Sequence, residues 1–132
     1  EQGRVDEAVE HLQEALRIRP EDAQTHYNLG VALVEQGWVE AAIEHFDKAL
    51  EIDPELVDAR RNLVFVLDQA VEGYRRALQS TPENAEMHNN LGVLLLRKGE
   101  VDEAIRHFSE AVKIDPDDRT AQENLDRAQS TR

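Results

Sequence analysis

Five histidines are the residues most able to do chemistry in this chain, because imidazole can ligate metals and can exchange protons near neutral pH. They are His11, His26, His45, His88 and His107. His11, His45 and His107 occupy one place in a repeating pattern, and His26 and His88 occupy another. Side chains in equivalent places on successive units stand about one unit apart. An ion that needs ligands at ~2.0–2.1 Å cannot bridge that gap. The expectation is therefore half-buried packing histidines and no metal site. Acidic neighbours such as Asp6 with Glu7 and Asp117 with Asp118 have the composition of an acid–base pair. Their places in turns and at helix starts explain them better, since carboxylates there interact favourably with the helix dipole. No serine–histidine–aspartate arrangement, glycine-rich phosphate loop or paired metal motif occurs. Cysteine is absent, which removes thiolate chemistry and cysteine-ligated zinc. The residues predict neither an enzyme nor a cofactor.

Charge narrows the partners. Fifteen Lys and Arg against 28 Asp and Glu leave a net −13, which repels the phosphate backbone of nucleic acids. Hydrophobic residues make up 40% of the chain and charged ones 33%, with the apolar positions regularly spaced, as in a folded helical protein. The longest apolar stretch, Leu91 to Leu96 around Gly92, is far short of the ~20 residues that span a bilayer. No membrane insertion is expected. Glu1 opens an acidic amphipathic segment without a signal-peptide core, so the compartment is left open with the cytoplasm as the expectation.

The elements that must position these residues follow from a period. Pro20 and Pro54 are 34 residues apart, as are Pro82 and Pro116. With Ala23 at position one, the unit Ala23 to Leu56 carries Leu29 and Gly30 at seven and eight, Gly37 at fifteen, Ala42 at twenty, Phe46 at twenty-four, Ala49 at twenty-seven and Pro54 at thirty-two. The unit Ala85 to Asp118 carries Leu91, Gly92, Gly99, Ala104, Phe108, Ala111 and Pro116 at the same places. Leu29, Leu33, Val39, Ile43, Phe46 and Leu50 fall on helical spacing to either side of Gly37, which suits a left-handed helix terminus. Two antiparallel helices per unit follow. Glycine within a helix costs ~1 kcal/mol against alanine, so Gly30 and Gly92 mark a backbone that approaches its neighbour closely. Proline cannot continue the second helix and sets the turn into the next unit.

The Leu-Gly pair, the A-x-x-x-F-x-x-A run and the closing proline on a 34-residue period resemble the tetratricopeptide repeat. The resemblance implies an all-α solenoid of antiparallel helix pairs wound as a right-handed superhelix. On this reading residues 1–132 form one solenoid, with a half repeat at 3–20, full repeats at 23–56 and 85–118, a shortened repeat at 57–84 and a polar capping helix at 119–130.

Three stretches depart from the pattern. Residues 3–20 match only the second half of a unit, so the stripe Val5, Val9, Leu12 and Leu16 is expected to be covered by further chain upstream or by another protein. Pro54 to Pro82 is 28 residues, six short of the period, and the shortfall falls at the turn between helices, where no glycine stands. Either Val57 to about Gln79 is a single helix, ~35 Å long at 1.5 Å per residue, or the chain lacks the six residues of a turn. The final stretch keeps Asn124 and Leu125 in register but has Asp126 where glycine was expected, and its polar remainder suits a cap.

The family's ligand-contacting places are two, five, nine, twelve and thirteen of the first helix. Carried over, they are Gln24, Tyr27, Val31, Val34 and Glu35, then Asp58, Arg61 and Phe65 in the short unit, then Glu86, Asn89, Val93, Leu96 and Arg97. Apolar anchors mixed with charges of both signs are what peptide recognition uses; the alternative for Val31 and Val93 is packing against neighbouring helices. Asn28, Asn62 and Asn90 recur at position six, where tying successive helices together is the expected role. One subtype of the family clamps a terminal carboxylate with lysines and asparagines. Here position five holds Tyr27, Arg61 and Asn89, so a neutral or basic partner with apolar anchors is expected. The functional expectation is a non-catalytic scaffold that binds a protein or peptide segment. The alternative is self-assembly into homo-oligomers by helix stacking or swapping through the shortened repeat.

Overall fold

The computed structural model describes residues 1–132, which form seven α-helices and no strands. These are α1 (Gln2–Ile18), α2 (Ala23–Gln36), α3 (Val39–Ile52), α4 (Val57–Ser80), α5 (Ala85–Arg97), α6 (Val101–Ile114) and α7 (Arg119–Thr131). Local chemistry sets their ends. Asp22, Asn84 and Asp118 each accept a hydrogen bond from the backbone N–H three residues on, capping α2, α5 and α7. Gly37 and Gly99 take φ of 87° and 84°, the left-handed geometry that lets the chain reverse into α3 and α6. At each reversal the next N–H turns back to the helix, from Trp38 to the Leu33 carbonyl and from Glu100 to the Leu95 carbonyl.

The chain divides into two compact units, residues 1–66 and 67–132. In the first, α2 packs against both α1 and α3. Its centre is Leu29, Ala42, Phe46 and Ala49, all fully buried. A Cβ added to Gly30 would lie 2.6 Å from the Phe46 ring, so the close approach read from the sequence is present and no larger residue fits without displacing that ring. Val9 of α1 is buried, while Val5, Leu12 and Leu16 are half-covered.

In the second unit α5 packs on α6, and α7 packs on both. Val71, Leu78, Leu91, Leu95, Ala104, Phe108 and Ala128 form one apolar cluster. Gly92 repeats the relation of Gly30, with the Phe108 ring 2.6 Å from where a Cβ would be. Burying a ring of this kind is worth about 1.5–3 kcal/mol. Helix α7 turns Ala121, Asn124 and Ala128 inward and leaves Asp126 outside.

Helix α4 runs unbroken from Val57 to Ser80. No turn residue interrupts the apolar stripe Leu63, Leu67, Ala70, Val71, Tyr74 and Leu78, and helical propagation needs none.

Candidate functional site

The exposed faces of the first helices hold the candidate contact residues, and the structure treats them unequally. In the first unit Val31, Val34 and Glu35 of α2 converge with Phe65 of α4 on a cleft of about 150 Å³. Asn62, Val66 and the base of Phe46 complete its walls. Phe65 is 57% exposed, although it is among the largest apolar side chains of the chain. Gln24, Asp58 and Arg61 are exposed on the same two helices but do not line the cleft. Gln24 donates to Asn28 along its own helix.

Tyr27 has a structural task as well. Its hydroxyl accepts a hydrogen bond from the Asn62 amide at 3.0 Å. The second unit repeats the arrangement, with the Asn124 amide donating to the Asn89 carbonyl oxygen at 3.0 Å. An asparagine at position six therefore reaches the position-five side chain of the preceding helix pair. That holds Tyr27 and Asn89 in place at the edge of the surface. Val93 is 37% exposed, Glu86 and Arg97 are exposed, and Leu96 turns partly into the core cluster. Of the other cleft residues, the sequence marks Asn62 for a tie between successive helices and not as a contact residue, and it does not single out Val66. Val66, at position ten of its unit, is buried and also lines the cleft.

The histidines hold a relation that reading across units missed. Within each complete unit, positions four and twenty-three meet. His26 Nδ1 lies 3.1 Å from His45 Nδ1, and His88 Nδ1 lies 3.0 Å from His107 Nδ1. Ring centroids stand 5.3 and 5.2 Å apart, longer than the nitrogen separation by about two ring radii. The rings meet edge to edge in line, not face to face. The other nitrogens of His26 and His88 lie 2.8 and 2.9 Å from the Pro20 and Pro82 carbonyl oxygens. A carbonyl only accepts, so Nε2 donates there and Nδ1 is left as the acceptor for its neighbour's N–H. Each pair thus ties the turn before the unit to both of its helices. His11 has the same place in α1 but is exposed. No group of three or more potential ligands gathers around any histidine.

Electrostatics follow from burial. His45 and His107 are held below the ordinary histidine range, first by loss of solvent and then by the partner imidazole. Burial pushes the Glu103 carboxyl up, but Arg75, whose guanidinium lies 2.8 Å away, outweighs it and leaves the group below its usual value. Lys98 bridges Asp68 at 2.8 Å and Glu100 at 3.2 Å, ordering the start of α6. Lys98 stands at the end of α5 and Glu100 and Glu103 at the start of α6, while Asp68 and Arg75 lie within α4.

Comparison with known proteins accounts for the repeat. A family model described as a TPR repeat matches residues 1–37, and two described as tetratricopeptide repeats match 23–56 and 67–119. A 50-residue stretch is 38% identical to BBSome complex member BBS4 of Bos taurus, covering 38% of this chain and 10% of that protein. The chain therefore spans about a tenth of the curated relative it matches. Among solved structures it is similar to a MamA RS-1 ArsTM double mutant, with TM-score 0.51, 25% identity, and coverage of 98% of this chain and 89% of the other. It is similar also to MamA 41-end from Desulfovibrio magneticus RS-1, with TM-score 0.50, 24% identity, and coverage of 98% and 76%.

Proposed function

We propose that this chain, which belongs to the tetratricopeptide repeat family, uses the exposed faces of its first helices to hold a peptide or protein segment without catalysing a reaction on it. In general terms the fold is that of a protein–protein interaction scaffold. The finer reading rests on one observation, the cleft between Val31, Val34 and Phe65. At about 150 Å³ it is well below the ~300–1,000 Å³ of a small-molecule pocket and matches one apolar side chain of a longer ligand. Leaving Phe65 57% exposed has no benefit for folding, whereas an aromatic at a recognition surface supplies contact area at low entropic cost.

Charge selects among such ligands. The chain carries −13, and Glu35 stands at the cleft. A neutral or basic segment with an apolar anchor gains from this field and an acidic one is repelled. An array of synthetic peptides varied in net charge and in apolar content tests the preference. Binding concentrated among neutral and basic peptides with a large apolar residue is the expected result, and recovery mainly of acidic C-terminal tails would overturn it.

A second reading is assembly between copies of the chain. The unbroken course of α4 favours it, because the short unit has no second helix of its own to fold back on its first.

A further inference from the structure

We infer that the side chain seated in the cleft between Val31, Val34 and Phe65 is an arginine of the bound segment, with its aliphatic stem against the apolar walls and its guanidinium at the rim with Glu35. This rests on the reading of the cleft as a peptide-binding site and commits it to one anchor.

The walls and the rim ask for different chemistry. Val31, Val34, Phe46, Phe65 and Val66 give the cleft its apolar surface, within a volume of about 150 Å³. Its polar side chains are Glu35 and Asn62, and no cation lines it. The Asn62 amide nitrogen donates to the Tyr27 hydroxyl at 3.0 Å, so its carbonyl oxygen is the end left uncommitted. Glu35 is exposed, and a carboxylate only accepts. A wholly apolar side chain fills the walls and leaves these acceptors to water. Lysine and arginine join an apolar stem to a cationic head that stays at the surface, which answers walls and rim together.

Glu35 stands at a place that the fold disfavours for a carboxylate. It lies in the last turn of α2, at the negative end of the helix dipole, and that turn holds no basic residue. At the same position thirteen, α5 carries Arg97, the sign of charge that a helix C-terminus favours. In α2 the dipole and the carboxylate therefore add, and they present one negative site beside an apolar cleft. Complementarity of charge calls for a cation there, supplied by the bound segment.

Phe65 decides between the two cations. Its ring is 57% exposed and lines the same cleft as Glu35. A guanidinium is planar and weakly hydrated, and it can lie on an aromatic face while its N–H groups pair with a carboxylate. An ammonium is a compact, strongly hydrated point charge. Arginine uses the ring and the carboxylate at once.

The strongest peptide from the charge-varied array serves as the probe. Each of its residues in turn is replaced by arginine, lysine, citrulline or norleucine, the last two with a lysine added at the terminus so that all four carry the same charge. Affinities are read by fluorescence anisotropy of the labelled peptides. At one position arginine should bind about five-fold tighter than the other three. Its advantage over citrulline should vanish in Glu35→Gln and shrink in Phe65→Ala. The Glu35→Gln chain should unfold at a urea concentration no lower than the parent, because the substitution relieves the opposition to the helix dipole. A destabilised Glu35→Gln would give the carboxylate a role in the fold and overturn the inference. Norleucine equal to or better than arginine at every position, in a peptide whose binding Phe65→Ala still weakens, overturns the arginine anchor and leaves the cleft as an apolar recognition site. Binding that neither variant alters overturns both readings.

Discussion

His26 Nδ1 faces His45 Nδ1 at 3.1 Å with a single proton between them, while His26 Nε2 is committed to the Pro20 carbonyl. The pair accommodates one further proton, on the free nitrogen of His45. A second would set N–H against N–H across the gap and break the contact. His88 and His107 repeat this in the other complete unit, with Glu103 3.6 Å from the far nitrogen of His107.

Stability should therefore fall in mild acid. The folded pKa of both His45 and His107 lies below the ordinary histidine value of 6.5, so the unfolded chain takes up protons first as pH drops. Their contribution is complete above about pH 6.5 and is lost as pH falls through that value towards the lower folded pKa. Urea midpoints measured from pH 8 to pH 5 should be flat and then decline. The His45→Gln/His107→Gln variant should decline less over the same window, and an equal decline would assign the effect to other groups.

Two glycines inside helices should respond in opposite directions to alanine. At Gly92 the new Cβ would lie 2.6 Å from the Phe108 ring, which is 0% exposed and has nowhere to move, so Gly92→Ala should cost about 1–3 kcal/mol. Nothing lies within 4 Å of the Cβ position at Gly73. There the helix gains in backbone entropy, and Gly73→Ala should add about 0.5–1 kcal/mol. Denaturant unfolding of the two variants checks the pair.

Asn89 should prove structural before it proves ligand-binding. Replacing it with alanine strands the amide of Asn124, which is 8% exposed, and an orphaned buried donor costs about 1–3 kcal/mol. Thermal unfolding of Asn89→Ala should show that loss without any ligand present. An unchanged midpoint would mean that water replaces the bond.

Sequence reading reached the repeat through particular residues. Gly30 with Phe46 and Gly92 with Phe108 are spaced sixteen apart at equal places, and such small–large pairs mark a close helix crossing. Gly37 and Gly99 located two reversals because the left-handed conformation has few tolerant residues. The histidine pairs were missed because positions four and twenty-three come together only through the crossing of two helices, and comparing equal positions across units hides a relation within one. The course of α4 was left between two readings, since an apolar stripe without a glycine fits a continuous helix but does not exclude missing turn residues. Of the candidate contact residues, the cleft gathers Val31, Val34, Glu35 and Phe65. Which residues of α4 come beside α2 at the cleft decides that gathering, and periodicity along a single helix does not specify it.

Phe65 gives the most direct test of peptide binding at the cleft. The strongest neutral or basic binder from the peptide array is titrated calorimetrically into the parent chain and into Phe65→Ala. Because the ring is 57% exposed, the substitution should alter stability by no more than about 0.5 kcal/mol. As an aromatic anchor at the recognition surface it should carry about 2 kcal/mol of binding, a loss of roughly 30-fold in affinity. A folded Phe65→Ala chain that binds the peptide as tightly as the parent would contradict the assignment of the cleft as the binding site.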